Sequence, residues 1–165
     1  MFTWQSGSDG REESQLLHLN PKSGRWLPDH TYLQRHVNSA IAYNVWQYYQ
    51  VTGDMEFLSF YGAEMFLEIA RFWDSFAKYD ERHDRYEIHG VVGPDEFHTA
   101  YPGSEQPGLR NHGYTNVMAA WVLRRAGDLL QLLPEERRNE LHGALGLTST
   151  EIEHWDEVSR KLRLV

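Results

Sequence analysis

Apolar residues recur along most of the chain at the three- and four-residue spacing of helices. Val37, Ile41, Val45 and Tyr48 share one face of a segment running from about Gln34 to Thr52, and Gly53-Asp54 then interrupts it. The spacing predicts a helix followed by a turn. The next segment is more apolar. Phe57, Tyr61, Met65, Ile69, Phe72 and Phe76 form one stripe, with Leu58, Phe66 and Trp73 as a second beside it, which predicts a helix covered on two sides. Between Asp80 and Gly93 the helical period is lost. Tyr86-Glu87-Ile88-His89-Gly90-Val91-Val92 is β-prone and suggests a short strand or hairpin. Gly93-Pro94 imposes irregular backbone. Thr99 to His112 holds Pro102, Gly103, Pro107 and Gly108 and reads as a surface excursion. The helical period returns from Asn116, through Val117, Met118, Trp121, Leu129 and Leu133, and Pro134 closes it. Glu135 and Glu136 suit the start of another helix. Thr148 with Glu151 makes a capping box for a last helix, whose Ile152, Trp155 and Leu162 share a face. Residues 1–34 keep no period and are dense in Gly, Ser, Asp, Asn and Pro, so an ordered loop region is expected there, following on something larger. The expected fold class is all-α, with a short β excursion near residues 85–93 and no internal repeat or linker.

Composition narrows the function. With 16 Lys+Arg against 24 Asp+Glu the formal charge is −8, which argues against nucleic acid and anionic membrane surfaces as partners. Hydrophobic residues make up 41% of the chain and aromatic ones 13%, enough to bury a core. No apolar run is long enough for a membrane span, and Met1-Phe2-Thr3-Trp4-Gln5 lacks the order of a signal peptide. The absence of cysteine excludes disulfides, thiolate metal sites and Cys nucleophiles. A cytoplasmic protein is expected.

Gly93-Pro94-Asp95-Glu96-Phe97-His98 is the segment most suggestive of chemistry. It sets two carboxylates and an imidazole on backbone held out of helix and strand, and a carboxyl with aromatic neighbours can stay protonated for general-acid work. The same residues also fit an Asp capping a turn beside a solvated Glu. Of the six tryptophans, Trp46, Trp73, Trp121 and Trp155 stand at helical positions among apolar neighbours and are expected in the core, whereas Trp4, in a polar loop, is the better ligand contact. The nine histidines form no helical metal pair, so no metal is expected. No phosphate loop, dinucleotide fingerprint or nucleophile elbow is present.

Several blocks carry a resemblance. Trp4-Gln5-Ser6-Gly7-Ser8-Asp9-Gly10-Arg11-Glu12-Glu13, Ala42-Tyr43-Asn44-Val45-Trp46-Gln47-Tyr48-Tyr49, Ala70-Arg71-Phe72-Trp73, Gly93-Pro94-Asp95-Glu96-Phe97-His98 and Tyr114-Thr115-Asn116 occur in that order. In sequence and spacing, over about residues 2 to 130, they resemble glycoside hydrolase family 65. The resemblance implies an (α/α)6 barrel catalytic domain of an inverting disaccharide phosphorylase, or of a related α-glucoside hydrolase. It implies Glu96 as the general acid, with Trp4, Gln5, His36, Asp95 and His98 at the sugar sites. Protonating the leaving oxygen while a nucleophile attacks the opposite face of the anomeric carbon inverts configuration. In a phosphorylase that nucleophile is inorganic phosphate, so the implied partners are a disaccharide or other α-glucoside and phosphate, without a cofactor, and a homodimer is an implied assembly. Two departures stand out: Gln5 where many relatives carry Glu, and a longer Thr99–Arg110 stretch followed by Asn111-His112-Gly113 where Asn-Asn-Ala is frequent.

A barrel of twelve helices needs on the order of 350 residues. The 165 residues are therefore expected to be a single segment of such a domain, truncated at both ends, and inactive alone. The competing expectation is a non-catalytic helical module that binds carbohydrate or a protein partner.

Overall fold

The computed structural model describes residues 1–95 and 98–164, and helices dominate it. Helix α1 (Val37–Thr52) ends where expected, at Gly53, whose φ of 67° turns the chain left-handed while its N–H reaches the Tyr49 carbonyl at 2.8 Å. Asp54 caps α2 (Met55–Phe57) by accepting the Phe57 N–H at 2.8 Å. That turn runs through a π turn at Leu58–Gly62 into α3 (Ala63–Phe76). The π turn explains which expected stripe enters the core. It inserts a residue into the period, so Leu58, Phe66 and Trp73 are buried, whereas of the other stripe only Ile69 is buried, Phe57, Met65, Phe72 and Phe76 lie at the core's edge and Tyr61 is exposed. Gly62 permits close approach of α1, since a Cβ there would stand 2.8 Å from Val45 Cγ1.

Helix α4 (Gly113–Leu132) packs against α1, α3 and α6 (Ser149–Lys161). Leu129 and the following Leu133 are buried as expected, but the first half of its core face differs from the one expected. Thr115, Asn116, Ala119, Val122, Leu123, Ala126, Leu129 and Leu130 are buried, while Val117 is exposed and Trp121 packs at the core's edge. Helix α5 (Glu135–Leu145) buries only Leu141. Thr148 caps α6, its hydroxyl accepting the Glu151 N–H at 3.1 Å, but the Glu151 carboxylate goes instead to Arg71 on α3, at 2.7 and 3.1 Å. A bidentate guanidinium pair outweighs the reciprocal arm of the capping box. Trp46, Trp73 and Trp155 are buried in one cluster with Phe66, and Trp121 packs against it, as expected.

More β structure is present than a single excursion. Three antiparallel pairs occur among the described residues: β1 (Leu17–Asn20) with β2 (Arg25–Pro28), β3 (Lys78–Asp80) with β4 (Arg85–Glu87), and β5 (His89–Val91) with β6 (Leu109–Arg110). The first pair corrects the reading of residues 1–34 as loop only, and β6 lies inside the expected excursion. The stretch from Val92 to Gly108 is therefore the connection of a hairpin. Its base is narrow: Gly108, at φ 99°, brings its Cα so near Gly90 that a Cβ would stand 2.7 Å from the Gly90 Cα.

Candidate active site

The Trp4–Gln5 segment is held by a carboxylate. Glu12 accepts the N–H of Trp4 at 2.9 Å, the N–H of Gln5 at 3.1 Å and the Ser14 hydroxyl at 2.7 Å. Burial pushes its carboxyl up, but the Ser14 hydroxyl and these backbone donors outweigh it and hold it below the usual carboxylate range. Further back, the fully buried Asn38 of α1 clips residue 2 to the helix: its Oδ1 accepts the Phe2 N–H at 2.7 Å and its Nδ2 donates to the Phe2 carbonyl at 3.1 Å. The Trp4 ring thereby reaches His36, with centroids 5.8 Å apart, and His36 meets Tyr114 of α4 edge-on at 5.9 Å. His36 is buried, its Nδ1 has no partner among the described residues, and burial pushes its imidazole below the ordinary range.

Two hollows with shared wall residues lie on this side of the molecule. One, of about 260 Å³, is lined by Trp4, Gln5, Ser14, Gln15, Asp29 and Thr31. The other, of about 250 Å³, shares Gln15, Asp29 and Thr31 and adds His30, Gln34, Val92 and Thr99 among its walls. Val92 and Thr99, which flank Gly93–His98 in sequence, line the second hollow, and Trp4 and Gln5 line the first. The start of the hairpin connection is tied down by the Val92 N–H, which donates to the Leu33 carbonyl at 3.0 Å. Asp29 takes the Thr31 N–H at 2.9 Å, the Thr31 hydroxyl, and Gln15 Nε2 at 2.9 Å. Burial raises its carboxyl, but the Thr31 and Gln15 hydrogen bonds and nearby His18 prevail and lower it, leaving an ionised acceptor in the cleft. Gln34 is 2% exposed, and neither amide atom has a partner among the described residues. An unpaired buried amide beside an ionised carboxylate suits a ligand rich in hydroxyl groups.

The structure brings together Trp4, Gln5 and His36 of the sequence-derived candidates. Asp95 and His98 stand on the hairpin connection, both exposed, with 3.8 Å between His98 Nδ1 and the Asp95 carboxylate. Glu96 lies outside the described residues. Asp29, Thr31 and Gln34 escaped sequence reasoning, because three residues in a non-periodic stretch carry no spacing signal. The one local hint was Asp29 two residues before Thr31, a turn-forming arrangement.

Below the connection, Glu87 of β4 is 2% exposed and gathers Arg110, Arg163, His89 and Asn111. Burial opposes its charge, but hydrogen bonds from His89, Arg110, Arg163 and Asn111 pull its carboxyl from 4.5 down to about 2. Asp80, His83 and Glu87 place ligand-type atoms within 4.8 Å of one another. The guanidinium groups already on Glu87 make that cluster unattractive to a cation.

Residues 1–164 match the glycosyl hydrolase family 65 central catalytic domain. The chain belongs to this family. Among its relatives, an uncharacterized glycosyl hydrolase of Mycobacterium tuberculosis is 57% identical over 98% of the chain. The trehalose 6-phosphate phosphorylase of Lactococcus lactis is 46% identical over 74% of it, and the kojibiose phosphorylase of Halothermothrix orenii is 36% identical over 99%. The chain spans 12%, 16% and 21% of the length of these three proteins. A solved structure described as a putative kojibiose phosphorylase from the human microbiome superposes with a TM-score of 0.65 over 76% of this chain and 17% of its own, at 24% identity, which shows a shared fold. The family 65 segment is thus mostly helical with small strand pairs, and among the described residues no helix is long and apolar enough to cross a membrane.

Proposed function

We propose that the protein containing this family 65 segment is an inverting α-glucoside phosphorylase, with Glu96 as general acid and inorganic phosphate as nucleophile. The observation that carries the reading is the pair of hollows sharing Gln15, Asp29 and Thr31, one lined by Trp4 and Gln5 and the other by Val92 and Thr99, the residues that flank the Gly93–His98 block in sequence. Relatives named as phosphorylases of trehalose 6-phosphate and kojibiose support the reaction class. In this reading Glu96 gives its proton to the glycosidic oxygen as the bond from that oxygen to the anomeric carbon breaks. A phosphate oxygen forms the new bond from the opposite face, yielding a sugar 1-phosphate of inverted configuration. Trp4 offers an apolar face to a sugar ring. The ionised Asp29 accepts from hydroxyls, and the Gln34 amide supplies both a donor and an acceptor. No cofactor enters the scheme, the segment forms part of an (α/α)6 barrel, and the cytoplasm, where phosphate is abundant, is its place of action.

The test is to incubate the full-length protein with trehalose 6-phosphate, trehalose, kojibiose and maltose, with and without phosphate. A sugar 1-phosphate formed only with phosphate is the expected result, and phosphate-independent release of free sugar would replace phosphorolysis by hydrolysis. Glu96→Gln should abolish turnover while leaving sugar binding in place; normal turnover in that variant would end the acid assignment.

A further inference from the structure

His112 sits in an unusual place. It is the N-cap of α4, where its Nδ1 accepts the Thr115 N–H at 3.4 Å and lies 3.2 Å from the Thr115 hydroxyl. Thr115 is fully buried, so that side of the imidazole rests on the rigid core. The other side meets Gly93. A Cβ added to Gly93 would stand 2.3 Å from His112 Cε1, 2.5 Å from Nε2 and 3.0 Å from Nδ1, an approach that only glycine allows. One residue earlier, Val92 is tied to the Leu33 carbonyl. The backbone entering the Gly93–His98 block is therefore gripped between the turn before α1 and the ring at the start of α4.

We infer that His112 is a positioning residue for the acid: wedged between Thr115 and Gly93, its imidazole fixes the backbone at Gly93, three residues before Glu96 in sequence. The inference rests on Glu96 being the acid. Burial, with a smaller effect of His98, holds the imidazole below its ordinary range. The neutral ring keeps the Nδ1 lone pair that the cap requires. Capping alone does not explain a histidine here, because Asn is among the best N-caps and is smaller. What histidine adds is the volume that touches Gly93.

This separates two roles experimentally. His112→Asn retains a cap acceptor but withdraws the ring from Gly93, and Gly93→Ala pushes against the ring while leaving the cap residue in place. Both are made in the full-length protein beside Glu96→Gln. Each is assayed with phosphate on whichever of trehalose 6-phosphate, kojibiose and maltose the wild type cleaves, and on α-D-glucosyl fluoride. In the disaccharide the C1–O bond breaks with a proton passing from Glu96 to the departing oxygen. In the fluoride the C1–F bond breaks and fluoride leaves as the anion, without that proton.

A displaced acid should lower kcat on the disaccharide by about 10²-fold, the cost of roughly 1 Å of misplacement, with KM little changed and turnover of the fluoride near wild type. Thermal stability of His112→Asn should stay close to that of the parent. Wild-type kcat on both substrates, or an equal loss on both, overturns the inference, and the same criterion applies to Gly93→Ala if His112→Asn fails to fold. Failure of the underlying reading is separately visible, since Glu96→Gln would then keep its disaccharide turnover.

Discussion

Glu87 offers the most quantitative prediction. Its carboxylate is nearly inaccessible, and it receives Arg110 through Nε at 3.0 Å and through Nη2, Arg163 Nη1 at 2.8 Å, Asn111 Nδ2 at 3.1 Å and His89 at 2.9 Å. Holding a carboxyl at about 2 instead of 4.5 corresponds to at most about 3 kcal/mol at neutral pH. The Arg110 side chain is 52% exposed, so solvent screening reduces this to about 1–2 kcal/mol. The folded-state value is depressed, so the stabilisation is fully present above the unfolded value near 4.5 and is lost as pH falls from there toward 2. Glu87→Gln should destabilise the domain by about that 1–2 kcal/mol at pH 7. The gap from wild type should shrink as pH falls through the unfolded carboxyl's titration and nearly vanish once the wild-type carboxyl is protonated. Denaturant unfolding across this pH series measures it, and hydrogen exchange of the Ile88 and Asn111 amides reports the same loss locally, since both join β4 and β5 to the segment around Asn111. A gap that is absent at pH 7, or that stays constant down to pH 3, would refute the reasoning.

Two further outcomes test the cleft. Asn38→Ala removes both hydrogen bonds to residue 2 and the one to the Arg35 carbonyl, which should cost about 1–3 kcal/mol; limited proteolysis should then cut within residues 1–14 faster than in wild type. Asp29→Asn keeps the shape of the hollow but removes an ionised acceptor, so KM for the sugar should rise by about tenfold or more, with a small fall in thermal stability from the lost Gln15 hydrogen bond, as steady-state kinetics and a melting curve will show.

How far the sequence foretold this depends on which physical signal each element carries. Helix α1 was legible to within a few residues because Val37, Ile41 and Val45 repeat in register and Gly53 takes the left-handed turn that glycine accepts at least cost. The β1–β2 pair was not, because its strands face solvent on most positions and Leu17, Leu19, Trp26 and Leu27 are exposed, leaving no alternation of buried and exposed residues to read. In α4 the expected stripe was right at Leu129 and Leu133 but not at Val117 and Trp121, where the buried face runs instead through Thr115, Asn116, Ala119, Val122 and Leu123. Trp4 was legible from its polar loop and His36 through the family resemblance, and the structure sets their rings 5.8 Å apart. Asp29 and Gln34 gain their place from tertiary contact alone, which a linear pattern does not encode.

The narrow neck at Gly90 and Gly108 has an evolutionary corollary. Because the two strands close there, backbone against backbone, the span beyond them can lengthen or shorten at a cost that grows only with the logarithm of its length, without disturbing the helices beneath. Residues 99–107 are thus a natural cassette for retuning: exchanging them between family members should vary which sugar the rim admits while the Gly93–Asp95 turn keeps its anchorage.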